Sequence, residues 1–334
     1  MSAQDGADRL MRIAVIVVNY GTAALSIKAV QSVLARQHGN RSVCVHVVDN
    51  ASPGADAAAL SRAHKENGWG DAVTLWLETE NHGFGRGNNV ALDVLRGQET
   101  PPDAVFLLNP DAQLENDAID ILARALEANP KAAAAGSQVC RPDGTPVTAA
   151  FRFPGPINEV VRITNLSVLW RLARPRLAYL PPEHPAGPVD WVSGSSVMFR
   201  FAALQKTGFF DPGFFLYYEE VDLMRRLGRA GWGVLFVPQA QVLHEEGSAT
   251  GLLKRQEGRQ RDPAYMYQSW AHYFERAYGR AGALAIAASM WGAACVNVLH
   301  RRLRGHEPSL PSHFFADHWR YVLRPLLWRG AAQR

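Results

Sequence analysis

The stretch that decides the fold is IAVIVVNYGT, residues 13–22. Its first six residues are continuously apolar and mostly β-branched, the pattern of a strand buried on both faces, which belongs to parallel sheets. Asn19-Tyr20-Gly21 breaks the strand, and Thr22 is expected to cap a helix running to about Gln37. The same alternation recurs outward. Residues 43–48 form a second strand, ended by Asp49-Asn50-Ala51-Ser52-Pro53, and a helix follows to about Glu66. Residues 73–77 form a third strand, 83–95 a helix opened by glycine, and 104–108 a fourth strand stopped by Asn109-Pro110-Asp111. Residues 115–128 read as helix and 132–140 as strand. This succession predicts an α/β fold with a doubly wound, mainly parallel sheet.

In such sheets ligands bind beyond the carboxyl ends of the strands. The polar breaks fall at that edge: Asn19 and Tyr20, Asp49 and Asn50, Asn81 with Gly83, and Asn109-Pro110-Asp111. Each alone reads equally as a turn; their recurrence at one end marks a cleft. Asp111 at a strand end is a hard-oxygen ligand suited to Mg²⁺ or Mn²⁺, which would neutralise a leaving diphosphate, or it caps the helix beginning near Glu115. His244, at the end of a strand, can complete a metal site or be structural. Residues 208–223 (GFFDPGFFLYYEEVDL) set Glu219, Glu220 and Asp222 beside aromatic surface. A carboxylate there acquires a raised pKa and suits a general base. The competing reading is an acidic helix N-terminus favoured by the dipole.

The chain has 334 residues, 47% hydrophobic and 20% charged, enough for a sizeable core and incompatible with global disorder. The net charge of +4 gives no ground for a nucleic-acid partner. Three separated cysteines, Cys44, Cys140 and Cys295, form no zinc or disulfide spacing, and 13–18 is too short for a signal or a span. The expected location is therefore cytoplasmic. Residues 1–10 read as a disordered N-terminus and 11–250 as the catalytic domain. Residues 151–190 read as an insertion or lid, apolar–basic and then proline-rich. After it, 191–199 reads as one strand with a Ser/Gly centre, 219–230 as a helix, and 233–237 and 241–243 as strands.

Residues 251–334 read as a C-terminal helical region, with helices over 263–278, 281–302 and 311–327. From 301 to 334 there are seven arginines against Glu307 and Asp317, with Trp319 and Trp328 among them and Trp291 just before. Apolar surface with Trp and Arg fits a helix at an anionic bilayer, here the inner face of the plasma membrane. A packed helical hairpin, a homodimer interface and a spanning helix are the other readings.

Taken in order, VIVVNYGT, VVDNASPG, NHGFGRGNN, AVFLLNPDA, VSGSSVMFR and the run from Gly208 to Ser248 resemble the inverting family 2 glycosyltransferases of GT-A fold, and among them the bacterial rhamnosyltransferase-like group. The resemblance implies a nucleoside-diphosphate sugar donor, dTDP- or UDP-linked, and a glycan or lipid-linked glycan acceptor. It implies that the backbone at Val18-Asn19-Tyr20 and the Asp49 carboxylate hold the nucleoside. Asn81, Gly83 and Asn88 would lie on the nucleotide-sugar loop. Asp111 corresponds to the last residue of the family's DXD motif, Glu220 to the base, and His244 to a histidine at the metal or diphosphate. The chain departs from the pattern at Asn109, where the motif has its first Asp, at Pro212-Gly213, and at Glu220, usually Asp. A sugar nucleotidyltransferase would share the sheet but want a basic glycine-rich loop after the first strand, where this chain has Asn19-Tyr20-Gly21-Thr22. A non-catalytic nucleotide-sugar- or glycan-binding subunit would not need Asp111, Glu220 and His244 together.

Overall fold

The computed structural model describes residues 10–245 and 260–328. The N-terminal segment up to residue 9 and the Glu246-Gly247-Ser248 end of the family-like stretch lie outside them. The order is β1 (Met11–Asn19), α1 (Ala23–Leu34), β2 (Arg41–Asp49), α2 (Asp56–Glu66), β3 (Val73–Leu77), α3 (Gly83–Arg96) and β4 (Ala104–Leu108). Next come β5 (Ala112–Leu114), α4 (Ala118–Ala128), β6 (Ala132–Cys140), β7 (Pro146–Val147), β8 (Ala150–Phe151), α5 (Pro156–Thr164) and α6 (Ser167–Ala173). Then follow β9 (Gly187–Val189), β10 (Trp191–Val192), β11 (Ser196–Arg200), α7 (Phe201–Thr207), α8 (Glu219–Arg229) and β12 (Gly233–His244). The C-terminal part is α9 (Ala264–Leu303), α10 (Phe314–His318), one π-helical stretch (Trp319–Leu323) and α11 (Arg324–Trp328).

The main sheet has the order β3-β2-β1-β4-β11-β6-β12-β5. The pairs β1–β2, β2–β3, β1–β4 and β6–β12 are parallel. β11 runs antiparallel between β4 and β6. Successive β1 residues enter opposite cores: Ile13, Val15 and Val17 on one face, Ala14, Ile16 and Val18 on the other. Burial on both faces is why that strand is apolar without alternation.

Four local expectations are corrected. Residues 191–199 are two strands, β10 and β11, because Ser193–Ser195 leaves the ladder and β10 pairs with β8 in a separate small sheet. Residues 233–244 are one strand whose register slips between Val237 and Gln241. The helix expected from Glu115 starts at Ala118, since Ala112–Leu114 pairs with β12. Thr22 makes no side-chain cap: its hydroxyl donates to Asn19 Oδ1 at 3.1 Å.

A third core cluster joins the insertion to the C-terminal helices, uniting Ile163, Phe214, Val221, Trp270, Tyr273 and Met290. α9 is interrupted at Gly279, whose φ of 71° ends one helix and starts the next. It is long and apolar enough to cross a membrane by length and composition, yet one face is buried against the rest of the chain. Asn297, fully buried on that face, clamps the insertion. Its Nδ2 donates to the carbonyls of Ile163 and Thr164 (3.0 and 3.3 Å) and to Ser309 Oγ (2.7 Å). Its Oδ1 accepts from the Ser309 N–H at 3.2 Å. Asn297→Ala strands several buried polar groups and should lower unfolding free energy by about 3 kcal/mol. A loss under about 0.5 kcal/mol in urea titration would show the clamp to be unimportant.

Candidate active site

The register of β1 on β2 sets Asn19 beside Asp49 at the carboxyl edge. Asn19 is fully buried, and both ends of its amide are engaged. Nδ2 donates to Asp49 Oδ1 (2.8 Å), Ser52 Oγ (2.9 Å) and Asp56 Oδ2 (3.1 Å), while Oδ1 accepts from the hydroxyls of Thr22 and Ser26. The Asn19 side chain thus orients the Asp49 carboxylate, and what it can offer a ligand is backbone. Tyr20 is half-exposed at the rim.

Asn50 holds the next loop. Its Oδ1 accepts from the His82 N–H (3.0 Å), and its Nδ2 donates to Asn81 Oδ1 (3.1 Å) and to the Gly83 carbonyl (3.0 Å). Asn88, also buried, donates to the Phe84 carbonyl within its own helix at 2.9 Å. Gly83 has φ +74°, and a Cβ there would stand 1.8 Å from the Phe215 carbonyl oxygen. The Phe84 N–H donates to that same oxygen at 3.1 Å. Glycine is therefore required where the loop at the ends of β2 and β3 abuts the aromatic loop that leads to the three acids.

That aromatic loop is strained. Tyr217 and Tyr218 both have positive φ, 69° and 70°, directly before Glu219. Such strain persists only when surrounding contacts hold it, and it concentrates at functional sites. Tyr218 is held by stacking on Tyr273, with ring centroids 5.1 Å apart.

The three acids have different surroundings. Asp222 accepts from Arg226 Nε (2.8 Å) and Arg276 Nε (2.9 Å), which engages both its oxygens. Glu219 is buried beneath Gly85, and its Oε2 has no partner. Burial, with the neighbouring Glu220 charge behind it, holds its pKa well above the ordinary carboxylate range. Glu220 is partly buried with Oε2 likewise unpartnered, and burial raises its pKa too.

On the opposite side, Asp111 is 4% exposed and accepts from His244 Nε2 at 2.9 Å. The β5–β12 register produces this contact by pairing His244 with Ala112. Asn109 Nδ2 lies 3.4 Å from the same imidazole nitrogen. Among the described residues no group of three His, Cys, Asp or Glu could hold a metal. One carboxylate and one imidazole fit an oxygen-preferring divalent ion that takes its remaining ligands from a diphosphate and water.

The two sides meet at Ser193-Gly194-Ser195. The Asn109 N–H donates to the Ser195 carbonyl at 2.9 Å. A Cβ on Gly194 would lie 3.6 Å from Glu220 Cβ and Cγ and from Phe84 Cε1. The sequence marked this segment as a Ser/Gly centre without a role; its break from a strand pattern was the available signal. Arg226 and Arg276 take Asp222 out of play; the i,i+4 spacing of Asp222 and Arg226 was a local signal that went unread, while Arg276 carries none.

A doubly wound sheet interrupted by one antiparallel strand, with these loops at its carboxyl edge, defines a GT-A-like transferase. The chain belongs to glycosyltransferase family 2: the family model "Glycosyltransferase like family 2" matches residues 11–262. It is a glycosyltransferase. The chain is 34% identical over 235 residues to the N-acetylglucosaminyl-diphospho-decaprenol L-rhamnosyltransferase of Mycobacterium tuberculosis, covering 67% of this chain and 70% of that one. It is 27% identical over 167 residues to rhamnosyltransferase WbbL of Escherichia coli, covering 49% and 61%. The fold is similar to mannosyltransferase PcManGT from Pyrobaculum calidifontis, solved with GDP-Man and Mn²⁺, with a TM-score of 0.52 at 17% identity over 96% of this chain and 88% of that one.

A Glu with folded pKa raised above its unfolded value binds its proton more tightly when folded. Its contribution to stability is full below the unfolded pKa and is lost as pH rises through the folded one. Glu219→Gln should therefore stabilise the protein at pH 8 and change little near pH 4.5, its ordinary value. Thermal melts of both proteins across that range measure this; equal pH slopes would mean Glu219 is not held protonated.

Proposed function

We propose that this glycosyltransferase transfers a sugar, with rhamnose favoured by the relatives' names, from a dTDP- or UDP-linked donor to a glycan or lipid-linked glycan hydroxyl by a single inverting displacement. The observation that carries the reading is the Ser193–Ser195 segment, bonded to Asn109 on one side and facing Glu220 on the other. Asp49 and the backbone at 18–20 take the nucleoside, held by the Asn19 network. Asp111 and His244 would hold Mg²⁺ or Mn²⁺, which when bound neutralises the departing diphosphate. Glu220 removes the acceptor proton. Of the three acids it combines a raised pKa with the least burial: Glu219 lies deeper, and Asp222 is bound between two arginines. A retaining double displacement would need a nucleophile on the sugar; a single inverting displacement needs only a base on the acceptor.

Glu220→Gln preserves shape but cannot accept a proton. It should keep nucleoside diphosphate affinity while turnover falls on the order of 10²–10⁴-fold. In the same assay Asp111→Ala should lose the gain in affinity that Mg²⁺ or Mn²⁺ gives wild type. Wild-type turnover in Glu220→Gln, or equal wild-type affinity in EDTA and in metal, would contradict the respective roles.

The acceptor in the mycobacterial relative's name is lipid-linked, which favours a site at the cytoplasmic face of a membrane for this chain too. Val296, Leu299 and Leu303 stay exposed beside Arg301, Arg302 and Arg304 at the end of α9, so peripheral attachment there fits apolar insertion with basic anchoring. The full chain should co-sediment with anionic vesicles at low salt and release as salt rises. Absence of binding at low salt would rule the attachment out.

A further inference from the structure

The insertion carries a helix that the fold leaves uncovered. α6 has no buried residue, although Val168, Leu169, Trp170 and Leu172 make most of it apolar. Val168 and Leu172 are 60% and 75% exposed, and Trp170 is exposed beside them. Apolar side chains clustered in water gain free energy when something covers them. The helix is two-sided: Val168 and Leu172, four residues apart, share one side, and Ser167 and Arg171 share another. The turn that follows adds the exposed Arg174 and Arg176. Residues 160–182 hold four arginines and no Asp or Glu. Arg162 is paired with Glu159 of its own helix at 2.7 Å; Arg171, Arg174 and Arg176 are exposed. Asn165, two residues before α6, donates from Nδ2 to Ser309 Oγ at 3.0 Å, and the same hydroxyl accepts from Asn297 Nδ2 at 2.7 Å. α6 therefore starts beside the end of α9, where Val296, Leu299 and Leu303 are exposed with Arg302 and Arg304.

We propose that α6 is a membrane-inserting element: Val168, Trp170 and Leu172 enter the boundary between headgroups and acyl chains of an anionic bilayer, while Arg171, Arg174 and Arg176 lie among its phosphates. Apolar side chains flanked by uncompensated positive charge are what such a surface accepts. The inference rests on the peripheral attachment read above at the end of α9 and adds a second contact from the insertion. The bonds through Ser309 join the two contacts into one seat, and two joined contacts fix how the chain lies on the membrane where one helix end would let it pivot. Trp170 also lines a cavity of about 680 Å³ whose wall includes Glu220, so a bilayer seated on α6 sets that end of the active site at headgroup level. A second copy of the chain fits less well, because a symmetric contact between two α6 helices brings the arginines of one against those of the other.

The test is co-sedimentation of the full chain with vesicles of phosphatidylglycerol or of phosphatidylcholine. Three variants are compared: Val168→Ser with Leu172→Ser, Arg171→Gln with Arg174→Gln and Arg176→Gln, and Leu299→Ser with Leu303→Ser at the end of α9. Trp170 stays in place because it lines the cavity. Every substituted side chain is exposed, so thermal melts and nucleoside diphosphate affinity should match wild type. On phosphatidylglycerol at low salt the Val168/Leu172 variant should bind about tenfold more weakly than wild type. The arginine variant should bind on the order of a hundredfold more weakly, and its gap from wild type should close as salt rises. Wild-type binding by both α6 variants overturns the proposal; if the Leu299/Leu303 variant alone loses binding, the attachment at α9 stands without it. A wild type that binds neither vesicle overturns both contacts, and nucleoside diphosphate binding by that same protein leaves the transfer reading in place. A dimer in sedimentation velocity that the Val168/Leu172 variant breaks, with no vesicle binding, assigns the face to a second copy and overturns the proposal as well.

Discussion

One antiparallel strand organises the site. β11 lies between two strands of the opposite direction, β4 and β6, so its beginning rather than its end reaches the carboxyl edge. The segment before it, Ser193–Ser195, therefore lies at the end of β4, where Asn109 and Asp111 emerge. A fully parallel sheet would present the end of a strand there instead. Because β10 departs to pair with β8, the segment is free of ladder bonds on one side and can face Glu220. The same logic explains His244: β5 doubles back from the Asp111 loop to pair with β12, which draws the last residue of β12 onto the carboxylate.

The second constraint is mechanical. α8 carries the acids into surroundings that disfavour charge, after two residues in left-handed backbone. Neither feature is stable by itself, and α9 offsets both. Arg276 bonds Asp222 and lies 3.1 Å from Asp211 Oδ2; Tyr273 stacks on Tyr218; and the Ser269 hydroxyl donates to the Leu216 carbonyl at 2.8 Å. The C-terminal helices are thus part of the core that holds the three acids, in addition to any role at a membrane. Removing them should disturb the acids before it disturbs the donor half, whose Asn19 and Asn50 networks are closed within residues 19–83.

Legibility in the sequence followed burial. β3, β4 and β6 were read with their observed bounds because strands within a layered sheet leave unbroken apolar runs. Asp49, Asp111 and His244 were legible as polar residues closing such runs. Pairing direction was not: a strand's apolar pattern is the same whichever way its neighbours point, and 191–199 read simply as one strand. β5 was hidden because three residues after Pro110-Asp111 look like a helix start. Resemblance placed Glu220 among the acids, but the arginines that bind Asp222 come from Arg226 on the same helix and Arg276 more than fifty residues on.

A base on the acceptor, rather than a nucleophile on the donor, is the central chemical claim, and stereochemistry reports on it without any variant. Proton NMR of the first-formed product, from a donor of known anomeric configuration, reads the outcome at the reacting carbon. The proposed mechanism predicts inversion: with Glu220 acting on the acceptor hydroxyl, the diphosphate departs from the opposite face. Retention would contradict a single displacement and would require a covalent or front-side route in which Glu220 has a different role.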